Sequence, residues 1–327
     1  IEVPLEGAHH GVSYALSDDH FLVSVSTEAR VMQEADASAL PDHFMVAGPS
    51  GGVLHELGDH ESPSCPGYHG SAHSDNTWVM GCGAGGWLRI SYDAGASPPA
   101  SWATVPFPSP LAGVDFRSGT VKSSSSRNGG VFVADLYPLG PKTPRYAAPV
   151  PAEGSSMDVD NLVQLNRDAA ENDVCHWALA RRAGGTHLAF LNKDGTMTVA
   201  EVALSGDTGE PKSLAVFGEE IDCADTALVA GPTVAYVIVA GATPRVLTVS
   251  LGAIDEGRTD HAVTSKPLSF TPAGGALALP PSVACEEGPG GHDGHDHGPG
   301  DDTDTDAAGR AGSVLLSLFA LLGPLAL

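Results

Sequence analysis

Short apolar runs separated by turn residues recur along this chain in units of similar length, up to about residue 284. Runs such as His20-Phe-Leu-Val-Ser-Val25, Thr77-Trp-Val-Met-Gly81, Gly130-Val-Phe-Val-Ala134 and Val234-Ala-Tyr-Val-Ile-Val239 are too short for helices. They are rich in β-branched and aromatic residues and bounded by Gly, Pro, Asp and Asn, which marks strands and turns. Asn192-Lys-Asp-Gly195 and Gly83-Ala-Gly-Gly86 read as hairpin turns between such runs. Only the stretch 157–173 has room for a short helix.

The chain also aligns with itself. His10-Gly11 followed by Ser17-Asp-Asp-His-Phe-Leu-Val23 matches His69-Gly70 followed by Ser74-Asp-Asn-Thr-Trp-Val-Met80. Weaker copies begin at Cys175-His176 and at Cys223-Ala-Asp225. The units start near residues 10, 69, 112, 170 and 224, and each has room for about four strands. An all-β fold follows: a β-propeller of four-stranded blades, with at least five blades and a stray strand at each end of an incomplete ring. A pair of β-sandwiches is the structural alternative. Ile1-Glu-Val-Pro-Leu5 reads like the end of a strand, so an N-terminal part, with any export signal, is expected to precede it.

Charge narrows the partners. Forty acidic residues against sixteen basic ones give a net charge of −24, which argues against nucleic acid and anionic membrane surfaces and suits a protein that gathers cations. Five cysteines are too few for a disulfide-built miniprotein. Cys65 and Cys82 flank a turn and a strand and are read as a disulfide, while Cys175, Cys223 and Cys285 stay open.

After Cys285 the composition changes. Residues 286–306 hold no large apolar and no basic residue, so 285–312 is expected to be a disordered acidic linker following a propeller domain of 1–284. Within it His292, His295 and His297 alternate with Asp293 and Asp296, a set of imidazole and carboxylate donors suited to zinc. Residues 313–327 are apolar, short for a spanning helix and not followed by a basic stop-transfer flank. They read as a glycolipid-anchor signal with attachment near 300–302 or 306–308, against a plain membrane tail as the rival. The expected location is extracytoplasmic: a cell surface, or the periplasm if the source is bacterial.

Inside the repeats, His10, His69 and His176 occupy the same place, just ahead of the innermost strand of a blade, and Asp225 takes roughly that place in another. Innermost strands of a propeller line its axis, so these residues are expected to converge on one face as metal ligands. His9, His60 and His73 lie close to them in sequence. Evidence for catalysis is thin. The chain has no Gly-x-Ser-x-Gly elbow, no phosphate-cradling loop and no His-Glu-x-x-His, and Cys175-His176 would point to opposite faces of a regular strand. An enzyme is not expected; a hydrolase or lyase on a propeller scaffold is the remote possibility.

Ser64-Cys-Pro-Gly-Tyr-His-Gly-Ser71 and Met80-Gly-Cys-Gly-Ala-Gly-Gly86 resemble the AztD zinc metallochaperones. These are periplasmic β-propellers that pass zinc to the solute-binding protein of a bacterial zinc importer. The resemblance spans roughly 1–284 and is specific around 60–90. It implies a propeller with a zinc site of His and acidic ligands on one face, and a mobile His-rich segment that assists capture. It also implies a disulfide between Cys65 and Cys82, and it supports His10, His69 and His176 as ligands. In that family the His-rich strip is expected near the N-terminus; here it follows the propeller, and an anchor signal ends the chain. The function expected is zinc capture, buffering or transfer at a surface, with a zinc transporter or its binding protein as receiver. The alternative is a non-metal interaction propeller, an adhesin or receptor ectodomain.

Overall fold

The computed structural model describes residues 11–26, 40–58, 64–83, 85–108, 116–124, 130–138, 145–151, 157–165, 174–182, 185–258, 262–269 and 272. The chain divides into a unit of Ile1–Pro272 and a second of Ala273–Leu327; everything below concerns the first. His9, His10, His60, the expected linker with His292, His295 and His297, and the expected anchor at 313–327 lie outside the described residues.

Among the described residues, twenty strands form five four-stranded sheets, each an antiparallel meander in chain order. The first is β1 (Ser13–Ala15), β2 (Phe21–Val25), β3 (His43–Ala47) and β4 (Val53–Leu57). The second is β5 (Gly70–Ser74), β6 (Thr77–Gly81), β7 (Gly86–Tyr92) and β8 (Ala100–Pro106). The third is β9 (Phe116–Ser124), β10 (Val131–Pro138), β11 (Tyr146–Val150) and β12 (Val163–Gln164). The fourth is β13 (Val174–Arg182), β14 (Gly185–Asn192), β15 (Thr196–Ala203) and β16 (Lys212–Ala215). The fifth is β17 (Thr226–Ala230), β18 (Val234–Val239), β19 (Arg245–Ser250) and β20 (Val263–Pro267). These are the propeller blades read from the repeats, and every one of these strands belongs to a blade. The expected stray strands are not among the described residues.

Alternate residues of the second strand in each blade enter different cores. In β6, Trp78 and Met80 join the core shared with the first blade, while Val79 joins the core shared with the third. In β10, Phe132 and Ala134 face the second blade and Val131 and Val133 the fourth. In β14, Leu188 and Phe190 face the third blade and Ala189 and Leu191 the fifth. A strand buried on both faces must be apolar at consecutive positions, which is why these segments read as continuous runs without a period of two. In the fifth blade Ala235 and Val237 face the fourth, but Tyr236, Ile238 and Val246 on the other face stay half-exposed.

The leading strands β5, β9, β13 and β17 lie against one another in turn. Ser123 Oγ donates to the His73 carbonyl at 2.7 Å, and Lys122 donates to the Trp177 carbonyl with its ammonium 4.3 Å from the indole centre. Burial holds the Lys122 pKa below its usual value, opposed by the charge of Asp135. Glycine permits this crowding. A Cβ on Gly70 would stand 2.6 Å from the Gly119 carbonyl oxygen, and one on Gly81 2.6 Å from Ser118 Oγ.

The expected turn at Asn192–Gly195 closes the β14–β15 hairpin, with Gly195 at φ +81° and its N–H on the Asn192 carbonyl at 3.0 Å. The described part of the stretch expected to hold a helix, 157–165, contains a 3-10 turn, Val159–Asn161, capped by the Asp158 carboxylate, and 166–173 lie outside the described residues. Among the described residues the α-helix is α1, Leu251–Asp255, capped by Ser250 Oγ accepting from the Ala253 N–H at 3.3 Å. At five residues it is too short to carry a helical period in sequence.

Two disulfides tie this frame. Cys65–Cys82 joins the loop ahead of β5 to the end of β6, and Cys175–Cys223 joins β13 to the 3-10 turn Cys223–Asp225 ahead of β17. Both fit an extracytoplasmic compartment. The loops they close, 17 and 48 residues, set an expected order of losses: about 3 kcal/mol for Cys65→Ser with Cys82→Ser, and about 4 kcal/mol for Cys175→Ser with Cys223→Ser. Urea unfolding of the two double variants measures it, and a reversed order would count against loop closure as the main term. Gly70→Ala should cost about 1–3 kcal/mol through the clash with the Gly119 carbonyl. Gly252→Ala, in α1 with nothing within 4 Å, should be neutral or stabilising by up to about 1 kcal/mol in the same assay.

Candidate metal-binding residues

Residues 64–69 are pinned on two sides. Cys65 bonds covalently to Cys82, the Gly83 N–H donates to the Pro66 carbonyl at 2.7 Å, and the His69 N–H donates to the Gly81 carbonyl at 2.9 Å. Toward the first blade, the Cys65 and Tyr68 N–H groups donate to the carbonyls of Asp42 and Pro41 at 2.8 and 2.9 Å. Tyr68 is buried edge-on to Phe44, with its hydroxyl 2.7 Å from Ser71 Oγ, and burial pushes its phenol up to about 12. A rigid backbone therefore presents the His69 side chain to solvent. Four residues on, exposed His73 stacks on Trp78 with ring centres 6.0 Å apart.

His176 is placed differently. A register shift between Val174 and His176 makes Cys175 the extra residue of a β-bulge. A bulge breaks the alternation of side chains, so the two neighbours need not diverge. Both reach the start of the fifth blade: Cys175 bonds to Cys223, and His176 Nε2 lies 3.1 Å from the Cys223 carbonyl oxygen and 3.2 Å from Thr226 Oγ1. The expectation that Cys175 and His176 point apart is thus corrected by the bulge. A carbonyl only accepts, so Nε2 is the donor in the first contact and offers no lone pair there. In this conformation His176 joins two blades. Asp225 sits exposed in the 3-10 turn just ahead of β17.

Among the described residues, one group of His, Cys, Asp or Glu brings three ligand atoms within 4.8 Å of one another: His187, Glu201 and Asp255. His69 and His176 are not part of it. His187, on β14, pairs in register with Glu201 on β15, so the two side chains leave the same face of the fourth blade. Asp255 ends α1 and comes from the fifth blade, its helix held by Leu251 and Ile254 in the core between the two. His187 Nε2 stands 2.5 Å from Asp255 Oδ2 and 3.9 Å from Glu201 Oε1. The three side chains are 5%, 21% and 50% exposed for His187, Asp255 and Glu201. Lys212, on the neighbouring strand β16, donates to the Asp255 backbone carbonyl.

Reasoning from sequence passed over this group. A histidine and a glutamate inside two apolar strand runs were its only signal, and they meet only once the β14–β15 register is fixed. Asp255 joins them from a helix too short to recognise, in the next repeat.

No family model matches the chain, and none of the curated proteins does. Among solved structures, apo AztD from Citrobacter koseri superposes with a TM-score of 0.56 at 20% identity, over 81% of this chain and 61% of that one. A second crystal structure of Citrobacter koseri AztD gives 0.54 at 20% identity, over 81% and 60%. The chain therefore spans less than two thirds of the AztD chain. At this identity the likeness establishes the fold, an AztD-like β-propeller.

Proposed function

We propose that this propeller binds zinc outside the cytoplasm and captures, buffers or transfers it, acting as a binding protein and not as an enzyme. The observation that carries the reading is the Cys65–Cys82 loop. The segments that resemble the AztD metallochaperones in sequence, 64–71 and 80–86, are closed on each other by that disulfide and hold His69 at the head of a leading strand, in a propeller that superposes on AztD. The two disulfides and the net charge of −24 suit a cation-gathering protein in an oxidising compartment. His292, His295 and His297 serve in this reading as a loose collector, because ordering a glycine-rich strip around an ion costs roughly 1–2 kcal/mol per residue fixed. The receiver is a zinc transporter or its binding protein, and the apolar stretch 313–327 keeps the chain at a membrane surface.

Equilibrium dialysis of the full chain against zinc, with metal content read by atomic emission, tests this. The expected result is one tightly held equivalent plus weaker ones, the weaker ones lost when His292, His295 and His297 are replaced by alanine. A full chain that retains no zinc against a mild chelator would remove the proposal.

A further inference from the structure

We infer that the Cys175–Cys223 disulfide is the closed form of a further zinc site, which a dithiol reductant opens and which Cys175, His176 and Cys223 then ligate. The inference rests on the zinc-binding reading for the identity of the ion, but the site itself is argued from placement and donor chemistry.

Placement comes first. In a regular strand Cys175 and His176 would leave opposite faces. The bulge between Val174 and His176 brings both to the start of the fifth blade, where Cys223 stands in the 3-10 turn ahead of β17. Two sulfurs and an imidazole from adjacent blades thus meet in one place. The two disulfides also differ in access. Cys65 and Cys82 are 0% and 2% exposed, whereas Cys175 and Cys223 are both half-buried. Exchange requires an attacking thiolate to reach a sulfur, so the second bridge is the one open to reduction.

The histidine is held as a zinc ligand is held. Thr226 Oγ1 directs its proton to the Asp222 and Cys223 carbonyls, at 3.4 and 3.3 Å. Its oxygen and the Cys223 carbonyl oxygen then both accept from His176 Nε2, at 3.2 and 3.1 Å. The Nε2 proton is therefore fixed, and in the neutral imidazole Nδ1 keeps the lone pair. A backbone carbonyl on the other ring N–H is a common support of a metal-bound histidine. Nδ1 is also the ring nitrogen nearer its own backbone, and so nearer the neighbouring Cys175.

The opening step balances with a protein dithiol as reductant. One of its thiolates attacks a sulfur of the bridge, the Cys175–Cys223 bond breaks, and the other cysteine leaves as a thiolate. The second thiolate of the reductant resolves the mixed disulfide, so two electrons reach the cysteines and the reductant ends as its own disulfide. The two protons of the dithiol go to solvent when zinc takes both cysteines as thiolates. Two thiolates on one tetrahedral zinc, at about 2.3 Å each, stand roughly 3.8 Å apart. Cysteines with Cα atoms 4.8 Å apart reach that spacing by side-chain rotation. Thiolate donors favour zinc over magnesium or calcium, and two thiolates with one imidazole leave a fourth position for a receiving protein's ligand. Oxidation by an incoming disulfide runs the step backwards and releases the ion, which gives transfer a trigger.

The test uses the full chain with Cys285→Ser and with His292, His295 and His297 replaced by alanine, treated with dithiothreitol and freed of it without air. Alkylation followed by peptide mass spectrometry should find Cys175 and Cys223 labelled while Cys65–Cys82 stays intact. The reduced protein should take up one zinc equivalent more than the oxidised protein, and that zinc should shield both thiols from alkylation. Cobalt(II) in its place should give thiolate-to-metal charge-transfer absorption. His176→Ala keeps the disulfide and should weaken the added equivalent by more than about a hundredfold, beyond what loss of an outer-shell partner costs. Prior reduction of Cys65–Cys82, a reduced protein that unfolds or takes up no added equivalent, or undiminished affinity in His176→Ala would overturn the inference. The zinc held by the oxidised protein is read in the same titration, so failure of the zinc-binding reading shows separately.

Discussion

Face-to-face burial of the blades is the constraint on which the rest of this structure depends. Each middle blade contributes alternate residues of one strand to two cores, as Val79 does on one side of β6 and Trp78 and Met80 on the other. Such a sheet has no solvated face to absorb polar substitutions. Polar chemistry is therefore pushed to the leading ends of the first strands, to the loops and to the seams. Several of the buried polar residues that remain have partners across a seam or within a blade. Trp87 Nε1 donates to Ser118 Oγ across a seam at 2.9 Å, and the Arg145 guanidinium grips the Asp135 carboxylate within the third blade.

Packing at the axis follows from the same geometry. The second blade approaches β9 so closely that Gly70 on β5 and Gly81 on β6 cannot carry larger side chains without displacing a neighbour. The loops that feed them must then be short of freedom, and each disulfide acts on such a loop. Cys65–Cys82 fixes the one ahead of β5, and Cys175–Cys223 fixes the one ahead of β17. The backbone beneath His69 and His176 is thus rigid, but the two side chains differ in use. His69 meets solvent, and His176 is occupied by the Cys223 carbonyl.

The architecture was legible because it is repeated. Units read near residues 10, 69, 112, 170 and 224 open on strands that begin at Ser13, Gly70, Phe116, Val174 and Thr226. Runs such as that around Val133 carried the strands because burial on both faces demands apolar residues at every position. Two features escaped for local reasons. A five-residue helix leaves no period, so α1 was invisible, and the described part of the stretch credited with a helix, 157–165, holds only a 3-10 turn. A bulge adds one residue to one strand, and alternation through Cys175-His176 failed at that point. The candidate site was harder still. His187 and Glu201 are neighbours only through strand register, and Asp255 only through the packing of one blade on the next.

That difficulty bears on how metal handling could be built into a propeller. The strip of His292, His295 and His297 is conspicuous in sequence because all its donors are local. A site assembled across a seam has its ordering cost met by the fold, since the strands and the helix stand in place for the sake of the hydrophobic core. The seam of the fourth and fifth blades shows how packing alone brings distant polar side chains together. Leu251 and Ile254 are buried for packing, and the helix they hold delivers Asp255 to His187. The pairing of His187 with Asp255 is thus set by packing and not by local sequence.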